Sequence, residues 1–249
     1  MSKKVFFVLL SLLLLGPSPR SWADDPPAVG EISEKPVLEE NTEAQTQDHM
    51  LSGSQFVKGK KFKEAVREFQ IATGLAPDNA EANRLLGLSL AQTGDLDKAA
   101  EYSLKAAQLK PNYGTYYLLG LIYANQSKYD RSVEAYEQAL KLNPKSYEAW
   151  HQLAKVHTTM VRFDKAVEAY QKATELNPKF PDAFQGLGSA YYWSENLTAA
   201  LQQVDALNKL GFADKAAELE RWIKDKEAKK KKSIKKNSLA PEPVPAPAK

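Results

Sequence analysis

The chain's three histidines are the first residues to weigh for chemistry. His151 and His157 stand six apart, which on a helix places them on different faces. Two imidazoles that share a metal need i, i+4 spacing instead. His157 falls among large apolar residues and reads as packing, and His49 falls at the start of a helix-length segment. The chain has no cysteine, which excludes disulfide scaffolds, thiolate zinc sites, thiol catalysis and lipid attachment through an N-terminal cysteine. Paired acids such as Glu39-Glu40 lie in a Pro/Glu-rich stretch that offers no rigid scaffold for general acid–base geometry. No Gly-x-x-x-x-Gly-Lys loop, Gly-x-Ser-x-Gly elbow or His-Glu-x-x-His pair occurs. A non-enzymatic protein without metal or cofactor is expected.

Two groups of residues suit binding instead. Tyr191-Tyr192-Trp193 is an aromatic cluster, of the residue types that anchor interfaces. Tyr191 also fits a core position, while Tyr192 and Trp193 are open between packing and ligand contact. Lys229, Lys230, Lys231, Lys232, Lys235 and Lys236 form a basic run. Such a run suits a reversible tether to an anionic membrane surface or another polyanion, or is simply a solvated helix end. Nucleic acid is not expected, because no aromatic residue interleaves with the lysines.

The charges are distributed unevenly. Residues 24–48 hold eight acids and one base, residues 221–249 hold ten bases and three acids, and the middle balances. Residues 1–23 read as an export signal: Lys3 and Lys4, an apolar run from Val5 to Leu15, helix breakers at Gly16, Pro17 and Pro19, then Ser21-Trp22-Ala23. The apolar run of 11 residues makes about 16 Å of helix, roughly half of a bilayer core. Cleavage is therefore favoured over anchoring, and removes three bases and no acid. The expected location is periplasmic, or else secreted. Residues 24–45 are expected to be an acidic disordered linker, and residues 229–249 a basic and then Pro/Ala-rich disordered tail of polyproline character.

The elements that must position any site come from a repeat. Pro77, Pro111, Pro144 and Pro178 recur at steps of 34, 33 and 34. Counting back from each proline, small residues recur at Gly53, Gly87, Gly120 and Ala154, at Ala65, Ala99, Ser132 and Ala166, and at Ala72, Ala106, Ala139 and Ala173. Each unit holds two helix-length apolar patterns. Facing small residues let antiparallel helices approach closely, and large ones (Phe56, Phe69, Leu90, Tyr123, Tyr136, Tyr170) fill the space beside them. Lys58–Lys61, Thr93–Asp95 and Asn125–Lys128 are turns within units. The prolines stop each second helix and can open the next.

This pattern resembles the tetratricopeptide repeat family, which places a large residue at position 4, Leu-Gly or Leu-Ala at 7–8, an aromatic at 11, Ala at 20, an aromatic at 24, Ala at 27 and Pro at 32. The fourth unit matches with Trp150, Leu153-Ala154, His157, Ala166, Tyr170, Ala173 and Pro178. The third matches with Tyr116, Leu119-Gly120, Tyr123, Tyr136, Ala139 and Pro144. The fifth, from Pro181, departs after Val204, as suits a terminal unit. The resemblance implies an all-α, right-handed α-solenoid of about five hairpins (46–79, 80–112, 113–146, 147–180 and 181–212). A capping helix over 213–228 covers the last open face.

The resemblance also implies a concave groove that holds a peptide, lined by positions 2, 5, 9, 12 and 13 of each unit. In this chain these positions include Arg84, Leu88, Tyr117, Leu121, Asn125, His151, Lys155, Gln185, Tyr192 and Trp193. Relatives that clamp acidic chaperone tails carry Asn at position 9. Here that position is Ser54, Leu88, Leu121, Lys155 and Ser189, so the clamp is not expected. The function implied is a scaffold that binds envelope proteins through its groove and aids assembly of an envelope complex. A tethered adaptor acting through the lysine run is the alternative. The partner and the oligomeric state are not legible.

Overall fold

The computed structural model describes residues 35–238. The segment read as an export signal and the Pro/Ala-rich stretch after Ser238 lie outside them. Eleven helices and no strand occur among the described residues: α1 Lys35–Lys58, α2 Phe62–Leu75, α3 Ala80–Thr93, α4 Leu96–Leu109, α5 Tyr113–Asn125, α6 Tyr129–Leu142, α7 Tyr147–Thr159, α8 Phe163–Leu176, α9 Pro181–Trp193, α10 Leu197–Lys209 and α11 Ala213–Ser238. None of them is long and apolar enough to cross a membrane.

Helix starts follow from local chemistry. Asn79, Asp95, Asn112, Ser146 and Asn196 accept hydrogen bonds from backbone amides of the first turns of α3, α4, α5, α7 and α10, relieving donors that lack intrahelical partners. Pro77, Pro111 and Pro144 therefore stop helices without opening the next ones, because one or two residues intervene, the last of them the polar cap. Pro181 sits in the first turn of α9, where its missing N–H costs nothing.

The helices pair as hairpins α1–α2, α3–α4, α5–α6, α7–α8 and α9–α10, and each second helix then packs on the following first helix. First helices of successive units also touch, from α1–α3 through to α9–α11, whereas second helices do not touch one another. A stack whose first helices converge and whose second helices splay must curve, with the first helices on its inner side. The result is an α-solenoid.

Side-chain volume sets the spacing. A Cβ on Gly53 would lie 2.6 Å from the ring of Phe69, and one on Gly120 would lie 2.5 Å from the ring of Tyr136. In the fourth unit Ala154 takes the small position, and the Tyr170 ring lies instead against Gly186 of the next unit. α11 closes the stack by burying Ala216, Leu219 and Ile223 against Ala200, Val204 and Leu207.

Two boundaries differ from expectation. α1 starts at Lys35, so the second half of the segment expected to be a disordered linker is helical. Burial was the wrong criterion there, because a packed helix is already nucleated and extending it needs only helix propensity. Pro36 sits at the favourable start. α11 likewise runs to Ser238, past the expected end of the cap at 228. Its final turns are lysine-rich, and cations suit the negative end of the helix macrodipole.

Candidate functional site

The inner face is assembled from α1, α3, α5, α7, α9 and α11, and its character changes along the stack. α5 (YGTYYLLGLIYAN) has no charged residue. Its inner positions carry Tyr117 and Leu121, both half-buried against the central core. Tyr113 stacks on Tyr117 with ring centroids 5.7 Å apart, and Tyr117 meets Tyr136 edge-on at the same separation. Tyr113 Oη lies 2.7 Å from Ser146 Oγ. The Ser146 hydroxyl donates to Glu148 at 3.0 Å and accepts from the amide of Ala149 at 3.1 Å. This chain of contacts fixes the tyrosine ladder at the start of α7.

Burial raises the Tyr117 phenol above its usual range, with neighbouring tyrosines and Glu148 adding to the shift. Tyr136 is raised further by the same cause, and its buried hydroxyl has no hydrogen-bond partner. Both stay protonated at any physiological pH. Neither is a base at neutral pH, and Tyr136, fully buried, is a packing group.

Polar groups flank this uncharged centre. On α3, Arg84 Nε donates to Glu81 at 2.7 Å, and the pair raises the guanidinium further. Leu88, one turn on, is half-buried against the first core cluster. On α7, His151 lies between Phe180 (4.9 Å between ring centroids) and Tyr170 (5.7 Å). Desolvation in that aromatic setting, with Lys155 nearby, lowers His151 to about 4, so it is a neutral donor or acceptor at neutral pH. Lys155 is exposed.

Other expected groove residues have different settings. Gln185 Oε1 accepts from Lys215 at 2.7 Å, and its amide donates to Glu218 at 3.2 Å, so α11 occupies both of its polar ends. Lys226 Nζ sits 4.5 Å above the Tyr192 ring and donates to the Tyr192 carbonyl at 2.7 Å. Trp193 stacks on Phe163, the first residue of outer helix α8, at 6.2 Å and 13°. It therefore belongs to the turn edge of the stack and not to the middle of its inner face. Asn125 is exposed where α5 ends. Lys229, Lys230, Lys231 and Lys232 are exposed on α11, and Lys235 and Lys236 continue the same helix.

The structure thus gathers Arg84, Leu88, Tyr117, Leu121, His151 and Lys155 on adjacent first helices, and separates Gln185, Tyr192 and Trp193 from them. Sequence reasoning missed Tyr113, Ser146 and Phe180. The i, i+4 spacing of Tyr113 and Tyr117 on one helix was the available signal for the first. The other two act across units and left none. On the outer side a cleft between α4 and α6 is floored by Tyr116, Leu119 and Tyr123, with Leu104 at its rim 41 % exposed. No three metal-ligating side chains converge among the described residues.

Comparison with known proteins accords with this geometry. Models of the tetratricopeptide repeat match residues 52–114 and 115–146, and a TPR repeat model matches residues 162–193. The crystal structure of MamA protein is 26 % identical, with a TM-score of 0.58 over 81 % of this chain and 98 % of that one. YrrB, described as a TPR protein with an unusual peptide-binding site, is 20 % identical, with a TM-score of 0.64 over 76 % of this chain and 98 % of that one. The Hsp70-Hsp90 organising protein of Plasmodium falciparum is 30 % identical over 104 residues, which are 39 % of this chain and 18 % of that one. The chain thus spans less than a fifth of that relative's length.

Proposed function

Because the chain belongs to the tetratricopeptide repeat family, we propose that it is a non-enzymatic scaffold whose inner face binds a peptide segment of a partner protein in the cell envelope, aiding assembly of an envelope complex. One observation carries the choice of surface: the uncharged Tyr117–Leu121 strip of α5, bounded by Arg84–Glu81 on one side and His151 and Lys155 on the other. An apolar strip with polar borders suits a segment with apolar side chains on one face and hydrogen-bonding groups along its edges. The peptide-binding site named for YrrB supports this use of the fold. The export signal read in residues 1–23 supports the envelope as its place.

The likeness to the chaperone-organising protein does not extend to a clamp for acidic tails, since the residues at position 9 (Ser54, Leu88, Leu121, Lys155 and Ser189) include no asparagine. An acidic chaperone-tail peptide is expected not to bind. Capture of partners from envelope extract tests the main reading. Leu121→Glu, which puts a charge into the apolar strip, abolishes capture while leaving the far-ultraviolet circular dichroism unchanged. Equal capture by both proteins would remove the inner face from the account.

A second reading rests on α11, which carries Lys229–Lys232 in exposed positions with no acid after Glu227. At about 1 kcal/mol per lysine near an anionic surface, four such residues make a salt-sensitive tether. Changing all four to Gln lowers sedimentation with anionic vesicles at low salt. Binding that is insensitive to both salt and substitution would dismiss the tether.

A further inference from the structure

The junction between the fourth and fifth units differs from the other junctions in what it exposes. At equivalent register positions the earlier junctions place Phe62 with Gln92, Leu96 with Asn125 and Tyr129 with Thr159. Here Phe163 meets Trp193, and the two rings lie nearly parallel. Trp193 is 55 % exposed and Val161 beside it 70 % exposed. Val161 holds a φ of 58° in the turn, a left-handed conformation costly for a β-branched residue. Val161, Phe163 and Ser194 line an open notch on the turn edge together with Arg162, Asp164 and Lys165, and Trp193 flanks it through its stack on Phe163. Parallel aromatic rings with an aliphatic wall form the kind of surface on which proline rings stack, and a polyproline segment loses little entropy on docking.

The chain carries such a segment within reach. Residues 239–249 read LAPEPVPAPAK, with prolines at 241, 243, 245 and 247. α11 runs alongside α9, with Lys215 bonded to Asp182 and Lys226 to the Tyr192 carbonyl, so Lys226 is level with Trp193. From that level α11 continues 12 residues to Ser238, about 18 Å past the turn edge. Eleven residues in polyproline form span about 34 Å. That length covers the return path and a lateral step of about 10–15 Å across neighbouring helices, and leaves Pro245 and Pro247 at the notch.

The geometry points to an intramolecular site: the Pro-rich segment 239–249 folds back and docks on the Trp193–Phe163 notch of its own chain.

The absence of native cysteine allows a direct test. A bimane dye on Ala248→Cys in the full chain is quenched by tryptophan only at near contact, and Trp193→Phe keeps a ring for Phe163 to stack on while removing the quencher. Short tethers give effective concentrations of millimolar order, so even a weak contact quenches more than about half of the emission. Trp193→Phe restores that emission, as does replacing the four prolines with glycine, and dilution leaves the quenching unchanged. Emission indifferent to Trp193→Phe overturns the site. Quenching that survives the glycine replacement overturns its basis in proline. Quenching that fades on dilution transfers the contact to a second copy and overturns the intramolecular assignment.

Discussion

α5 and α9 occupy the same place in the third and fifth units, yet their inner positions have opposite fates. On α5, Tyr117 and Leu121 pack on the core from below and keep an uncharged face toward the hollow. On α9, Gln185 and Tyr192 are taken up by Lys215, Glu218 and Lys226 of α11. The repeat position alone does not make a residue available to a partner; the neighbouring first helix decides it. Where that neighbour is another repeat helix the position stays open. Where it is the charged cap, the position becomes part of the closure.

The largest effect expected from this contrast concerns the cap. Leu219 is 1 % exposed and touches Gly188, so Leu219→Ala lowers stability by about 3 kcal/mol. Units of a solenoid contact only their neighbours, so the loss is local. Hydrogen exchange should accelerate in α9–α11 and stay slow in α3–α6. Equal acceleration in both regions would erase the distinction between a sealed end and an independent centre.

Next in size is the packing beneath the open strip. Gly120→Ala forces a methyl group against the Tyr136 ring and costs about 2 kcal/mol, measurable as a lower denaturant midpoint. A neutral result would mean that the tyrosine ladder is looser than its contacts imply.

A smaller effect of about 1–2 kcal/mol, after allowing for partial solvent access, comes from His151. Its folded-state value of about 4 lies below the ordinary 6.5, so the unfolded chain binds the proton more readily. This contribution is complete above pH 6.5 and is lost as the pH falls from there to about 4. His157, also lowered by burial and by nearby Lys165 and Arg162, acts in the same direction. His151→Gln should flatten the fall in melting temperature over that interval. Parallel curves for the two proteins would refute the assignment.

The smallest effect tests the seal itself. Lys226→Ala removes a cation over Tyr192 worth under about 1 kcal/mol and leaves partner affinity at α5 unchanged. Loss of binding in that variant would place part of the recognition surface on α9 after all.

Periodic features were legible in the sequence because they arise from contacts within a unit. The alternation of Gly53, Gly87 and Gly120 with Ala65, Ala99 and Ser132 encodes hairpins whatever surrounds them. What failed depended on neighbours. Trp193 satisfied a groove position by count, but its ring lies on Phe163, a residue 30 positions earlier that no pattern within a unit connects to it. Tyr170 turned to Gly186 because Ala154 fills the site where the other units have glycine. The helical start of α1 escaped notice because helix propensity, not burial, sustains it.

Site-specific photocrosslinking in living cells tests the central claim most directly. A photoreactive residue placed at Leu121 on the inner face, or at Leu104 at the rim of the outer cleft, reports which side of the curved stack the partner occupies. The account predicts a discrete protein adduct from position 121 and none from position 104. An adduct from 104 alone would place recognition on the outer side and contradict it.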